Sequence, residues 1–187
     1  LLDSHRFVPH VFTAAYAAVQ TVWGAAFCAV FGYSFTVLRV STLVAALAAV
    51  WLTARCAREL GATRRTALLC GTVLFANPLF LNLSYTFMTE VPFIALMMGL
   101  GFFYLRALRN GRSFDVLLGS CFAVLSFCNR QYGLLSTVAF VGTLALALRG
   151  PLRRPRMMQC AALFGPWLLL AALLAALAGG PDSPFRT

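Results

Sequence analysis

Two charged residues, Glu90 and Arg130, stand apart from the other charges of the chain and could carry chemistry. Glu90, in SYTFMTEVPF (84–93), is one of only five acidic residues in 187 and lies between two long apolar runs. A carboxylate there could take a proton as a general base or help bind a divalent metal ion. The alternative is structural, because Thr89 or Glu90 could cap a helix that begins with Pro92, where a negative charge favours the helix start.

Arg130 is the natural counterpart of this carboxylate. It lies in FCNRQYG (127–133), flanked by polar side chains and distant in sequence from the other arginines. The guanidinium group offers a planar fork of donors that matches the oxygens of a phosphate. The sequence therefore predicts phosphate binding at Arg130, with simple snorkelling to ordinary lipid phosphates as the alternative.

The cysteines and histidines form no catalytic or metal-binding pattern. No CxxC pair occurs among the six cysteines, and His5 and His10 lack the HExxH spacing. Cysteines scattered within apolar runs usually behave as small buried hydrophobic residues. The sequence thus predicts no disulfide framework and no metal site built from these residues.

The composition indicates that the helices carrying Glu90 and Arg130 lie in a bilayer. The chain is 61% hydrophobic and 11% charged, against about 45–50% and about 25% in soluble domains. Its net charge of +10 comes entirely from arginine. The arginines fall in short clusters between apolar runs, which is typical of membrane loops, so we predict no nucleic-acid partner.

The apolar runs predict an all-α, polytopic transmembrane bundle of about six or seven spans. A span needs about 20 mostly apolar residues, and the shorter runs must borrow flanking residues. We expect a single membrane domain over 1–187, with an outer loop and an interfacial or partial span in 1–34 and six transmembrane helices in 35–178. The predicted spans are 35–54, 66–87, 91–105, 116–128, 133–148 and 157–178, preceded by a softer stretch at 11–31.

The arginine clusters predict the orientation of these spans. Eleven of the 15 arginines lie in three alternate loops, at 55–65, 106–112 and 149–156. Because arginine and lysine concentrate in cytoplasmic loops, the loops at 84–90 and 129–132 should face the other side. Glu90 and Arg130 are therefore expected on one non-cytoplasmic surface of a multi-pass cell-membrane protein. The arginine-only, alanine-rich usage suggests a bacterial inner membrane.

Three runs carry a resemblance to a known family: GYSFTVLRVSTLV (32–44), NPLFLNLSYTFMTEVPFIALMMGLGFFYLRALRNGRS (77–113) and LLGSCFAVLSFCNRQYGLL (117–135). In order and spacing they resemble the membrane core of the GT-C glycosyltransferases, of the dolichyl-phosphate-mannose mannosyltransferase type (glycosyltransferase family 39 and bacterial relatives). The resemblance covers roughly residues 1–150.

The resemblance implies an inverting transferase that moves a sugar from a polyprenyl-phosphate donor to an acceptor on the non-cytoplasmic face. Glu90 matches a second acidic position of such enzymes, which often show Asp there, and would position the acceptor or help bind a divalent metal ion, the one cofactor left open. Arg130 matches a position where phosphate binding is plausible. The partners implied are the lipid-linked donor and membrane lipids.

The resemblance also implies a catalytic carboxylate in the first outer loop, where this chain departs from the pattern. Asp3 is the only acidic residue before the first span, and RFVPH (6–10) resembles the segment after that motif. We therefore expect that the chain is a fragment and that this acid precedes Leu1. The fragment alone would then be inactive.

Two other functions stay open. A transporter or flippase would also need charges at membrane depth, but no predicted span carries a central Asp, Glu or Lys, and no broken helix is evident from the sequence. A noncatalytic membrane scaffold would use glycine-containing stretches such as GLGFF (99–103) for close helix packing. It predicts that Glu90 and Arg130 tolerate substitution.

Overall fold

A computed structural model describes residues 18–130, 132–147 and 162–173 of the chain. Every regular element within these ranges is a helix. The helices are α1 (Ala18–Phe31), α2 (Phe35–Glu59), α3 (Arg64–Ala76), α4 (Pro78–Ser84), α5 (Glu90–Asn110), α6 (Ser113–Asn129), α7 (Gly133–Ala147) and α8 (Ala162–Leu173).

Two of the described helices, α2 and α5, are long and apolar enough to cross a membrane. The pair α3 and α4 makes a third candidate if the two are counted as one bent span. The helices α1, α6, α7 and α8 are apolar but shorter than 18 residues in the ranges described. The structure thus supports an all-helical membrane protein.

The predicted span at 66–87 is not one straight helix. The chain turns by 67° between α3 and α4. Pro78 has no N–H to continue the hydrogen-bond ladder of α3, and the Asn77 side chain caps α4 by accepting from the amides of Leu79 and Phe80. The expectation that no helix is broken is therefore wrong for this segment.

The core forms where α5 packs between α2 and α6. Small residues of α2 let α5 approach closely, so that Ala46 and Ala49 are almost fully buried, as is Val91 of α5. On the other side of α5, Tyr104 lies over Gly119 of α6 and stacks on Phe140 of α7, with ring centroids 3.8 Å apart. A side chain at position 119 would displace the tyrosine ring.

The connections between helices lie at two opposite ends of the described bundle. At the arginine-rich end lie the turn between α2 and α3 and the turn between α5 and α6, where Gly111 adopts a left-handed conformation with φ 65°. The opposite end carries the loop at 85–89 and the start of α7. The third predicted arginine loop, 149–156, lies outside the described residues.

Two ion pairs fix the arginine-rich end. Arg109 lies 3.5 Å from Glu59, which joins the last turns of α5 and α2. Arg106 Nε lies 3.5 Å from Oδ1 of Asp115, which joins the last turns of α5 to the first turn of α6. The Asp115 side chain is only 5% exposed, whereas that of Arg106 is 37% exposed.

This difference in burial predicts unequal effects on stability. Arg106→Gln leaves a buried carboxylate without its cation and should lower the free energy of unfolding by about 1–3 kcal/mol. Asp115→Asn removes the buried charge and leaves Arg106 able to reach water, so it should cost less. Denaturation in detergent micelles compares the two variants, and equal losses would contradict this assignment of the buried partner.

Candidate functional site

Glu90 is the first residue of α5, at the end of the bundle opposite the arginine-rich end. Thr89 precedes the helix without capping it through its side chain, so the predicted start near Pro92 is two residues late. Pro92 is tolerated because the amides of the first helical turn need no partner within the helix. The position of the Glu90 side chain is thus fixed by the start of α5.

Arg130 follows the last residue of α6 in an extended conformation. Its backbone N–H donates to the carbonyl of Ser126 at 2.7 Å, which ends α6. Three residues later the chain enters α7 at Gly133, which packs directly against the backbone of α6: an added Cβ would lie 2.7 Å from the carbonyl carbon of Ser126. The turn therefore directs the Arg130 side chain toward α5.

The structure brings Glu90 and Arg130 into direct contact. Arg130 Nη2 donates to Glu90 Oε1 at 2.5 Å, although the residues are 40 positions apart. Their side chains are 31% and 37% exposed, so the pair is reached from outside the bundle. We call Glu90 and Arg130 the ion pair below.

A second link lies directly behind the ion pair. Asn129 is fully buried, and its Nδ2 donates to the carbonyl oxygen of Thr89 at 3.0 Å. Two adjacent contacts thus join the residue pair 89–90 to the residue pair 129–130: the hydrogen bond of Asn129 and the ion pair. Asn129 Oδ1 is buried without a hydrogen-bond partner among the described residues. The amide link restricts how far the charged side chains can separate.

The ion pair suits the helix dipoles but contributes little to folding. A carboxylate at the start of α5 and a guanidinium at the end of α6 each oppose the partial charge of the helix terminus. Since both side chains are about one-third exposed, solvent screens their attraction. Pairs of this exposure typically contribute about 0.2–1 kcal/mol. Loss of either charge should therefore leave the fold intact.

The geometry leaves hydrogen-bonding capacity for a ligand. Glu90 is bonded through one oxygen, so Oε2 can still accept a proton or a hydroxyl hydrogen bond. The guanidinium of Arg130 uses one of its five N–H donors in this contact, so the others can bind phosphate oxygens. A hydroxyl and a phosphate could thus bind side by side at this end of the bundle.

The positions of the two predicted site residues are shown by the structure, whereas their chemical roles are not. The structure places both predicted site residues on one end of the described bundle and in contact, while the catalytic role of Glu90 and the phosphate-binding role of Arg130 stay predictions. The sequence reading assigned no role to Asn129, and only its position beside Arg130 could have indicated one. Asp3 and Gln131 lie outside the described residues.

The described residues contain no complete set of metal ligands. Within 18–130, 132–147 and 162–173, no group of three or more His, Cys, Asp or Glu side chains could hold a metal ion. Glu90 contributes one carboxylate, already bonded to a cation. Divalent metal binding at Glu90 therefore stays a prediction, and the chemistry below does not depend on it.

Gly133→Ala is expected to disturb the site through the backbone. The new methyl group would overlap main-chain atoms of Ser126 and Phe127, which cannot rotate away, so the turn holding Arg130 must move. We expect a loss of about 1–3 kcal/mol in the free energy of unfolding, as for overpacked cores. The control is Gly142→Ala in the same helix, where an added Cβ meets nothing within 4 Å. Similar unfolding curves for both variants would contradict this close approach.

Comparisons with known protein families, with curated proteins and with solved structures found no match to this chain. Functional inference therefore depends on the ion pair, its setting in the bundle and the sequence patterns around it.

Proposed function

We propose that this chain is the membrane core of a glycosyltransferase that moves a sugar from a polyprenyl-phosphate donor to an acceptor on the non-cytoplasmic face. The proposal includes six or seven spans and location in a bacterial inner membrane. One observation supports it above the others: the contact between Glu90 and Arg130 at the end opposite the arginine clusters. The resemblance to GT-C enzymes gives this pair its proposed substrate.

Each partner of the ion pair has one role in the proposed reaction. The acceptor hydroxyl oxygen attacks the anomeric carbon of the sugar, and the bond from that carbon to the phosphate oxygen breaks. Glu90 accepts the hydrogen bond of the acceptor hydroxyl, orienting it and drawing off its proton as the new bond forms. Arg130 stabilises the negative charge on the departing polyprenyl phosphate.

Contact between the two groups also serves this chemistry. Arg130 holds one oxygen of the Glu90 carboxylate, which fixes the direction in which the other oxygen can accept a hydrogen bond. Phosphate oxygens arriving at Arg130 would share its donors with Glu90, so the acceptor and the leaving group would be held a few ångströms apart. The exposed tyrosines at this end, Tyr33, Tyr85 and Tyr132, are of the type found where helices meet lipid headgroups.

Donor consumption tests the proposal. The full-length protein that contains this chain, purified and reconstituted in vesicles, is incubated with polyprenyl phosphates that carry different radiolabelled sugars, with and without a mixture of membrane-derived acceptors. We expect at least one donor to be converted to polyprenyl phosphate, with the label leaving the lipid fraction. Protein-free vesicles are the control. Failure to consume any donor in the series would end the transferase proposal.

A transporter or flippase is the alternative, and the bend between α3 and α4 favours it. Discontinuous helices often form substrate sites in transporters, and this pair turns by 67° at Asn77. Uptake of labelled solutes and movement of labelled lipids across vesicles would distinguish the two functions. Transport without sugar transfer would favour the alternative.

A further inference from the structure

An apolar groove runs along α2 on the side that faces α1 and α5. Its volume is 370 Å³, within the range of small-molecule sites, and every residue lining it is apolar. It is open along its length, because Val44, Trp23 and Trp51 in its wall are 41%, 37% and 55% exposed. We call this cavity the α2 groove.

The α2 groove reaches the arginine-rich end of the bundle at Trp51. One helical turn beyond it, the Arg55 guanidinium carbon lies 5.0 Å from the centre of the Trp51 ring, a cation–π distance. Trp51 therefore forms the wall of the groove and also holds a cation at its rim. Tryptophan at such a boundary is typical of the membrane interface.

The positive charge at this rim has no acidic counterpart among the described residues. Arg55, Arg58, Arg64 and Arg65 are all exposed, and none forms an ion pair within the described ranges. Glu59, the acidic residue of this turn, is paired with Arg109. An unpaired arginine at the rim of an apolar groove, with three more at the same end of the bundle, suits a ligand that is anionic at one end and apolar at the other.

We propose that the α2 groove and Arg55 form a binding site for an anionic phospholipid, with an acyl chain in the groove and the headgroup phosphate on the guanidinium. Charge complementarity selects this occupant over a zwitterionic lipid, whose own cation would lie among the arginines. The apolar lining selects a lipid over a free phosphate. The headgroup position at Arg55 lies at the opposite end from Glu90 and Arg130, and the site does not depend on the proposed transferase activity.

Tryptophan fluorescence offers a direct readout, since two of the three tryptophans of the chain, Trp23 and Trp51, line the groove. The protein carrying Trp167→Phe is reconstituted in phosphatidylcholine vesicles, and brominated phosphatidylglycerol or brominated phosphatidylcholine is added as quencher. We expect a several-fold higher apparent affinity for the brominated phosphatidylglycerol. Equal quenching by the two lipids would overturn the proposal.

Two variants, each with a matched control, test the two parts of the site. Arg55→Gln should lower the preference for phosphatidylglycerol about fivefold, as expected for the loss of one arginine near an anionic headgroup. Arg39→Gln changes another exposed arginine, near the other end of α2, and should leave the preference unchanged. Ala48→Phe fills the groove and should weaken quenching by either lipid, whereas Leu47→Phe places the same ring on the exposed face of α2.

Two further measurements keep the test decisive. Arg55→Lys retains the charge and should retain most of the preference, which shows that a loss in Arg55→Gln does not come from misfolding. Added inorganic phosphate at millimolar concentration should not relieve the quenching. An unchanged preference in Arg55→Gln, equal effects of Ala48→Phe and Leu47→Phe, or competition by inorganic phosphate would each overturn the proposal.

Discussion

Glu90→Gln is expected to lower sugar transfer about 10²–10⁴-fold, the usual contribution of a positioned proton acceptor. The amide has nearly the same shape as the carboxylate, and its oxygen can still accept from Arg130, so the connection between α5 and α6 remains. What is lost is the negative charge and the ability to take a proton. The measurement is the initial rate of label transfer from the polyprenyl donor.

Glu59→Gln is the matched control for this variant. Glu59 is also paired with an arginine at a helix end, but at the arginine-rich end of the bundle. Both variants should keep unfolding curves close to that of the unsubstituted chain, because pairs this exposed contribute about 0.2–1 kcal/mol. Equal transfer rates in Glu90→Gln and Glu59→Gln would show that Glu90 is only a favourable charge at a helix start.

Arg130→Ala is expected to lower transfer about 10²–10³-fold, the range seen when one donor to a developing anion is removed. The departing phosphate would lose its cation, and Glu90 would lose its partner. Arg130→Lys should recover only part of the rate, because an ammonium group keeps the charge but not the planar fork. Steady-state rates over a range of donor concentrations would separate the effect on kcat from that on KM.

Arg39→Ala serves as the control for Arg130→Ala. Arg39 is exposed, near the same end of the bundle, with no acidic partner among the described residues. If Arg130 merely reached ordinary lipid phosphates, the two substitutions would have the same small effect. A selective loss in Arg130→Ala is the expected result.

The common end of Glu90 and Arg130 was the part of the site that the sequence could predict. The alternation of arginine clusters predicted the loops at 84–90 and 129–132 on one side of the membrane, and in the described bundle Glu90 and Arg130 lie at one end. The 2.5 Å hydrogen bond between Arg130 Nη2 and Glu90 Oε1 could not be predicted from such patterns, because it depends on how α5 and α6 pack along their whole length.

The broken helix at 66–87 and the ion pair of Arg106 with Asp115 could not be predicted from hydropathy. The run at 66–87 has no charge, so its hydropathy indicated one span, yet Asn77 and Pro78 supply a cap and a missing donor that break it. The pairing of Arg106 with buried Asp115 also went unpredicted, since it requires the two helices to run back along each other around Gly111. Hydropathy reports burial in lipid and carries no information on these polar contacts.

The charge-swapped double variant, Glu90→Arg with Arg130→Glu, tests most directly whether the ion pair is a site for chemistry. The swap restores opposite charges across α5 and α6, so a pair that only joins the helices would keep its function. We predict that the double variant still folds, with an unfolding free energy lower by about 1–2 kcal/mol because the swapped charges are unfavourable at both helix ends. Sugar transfer should be lost, because each charge now faces the wrong part of the donor and acceptor. Transfer at the unsubstituted rate would contradict the proposed roles of Glu90 and Arg130.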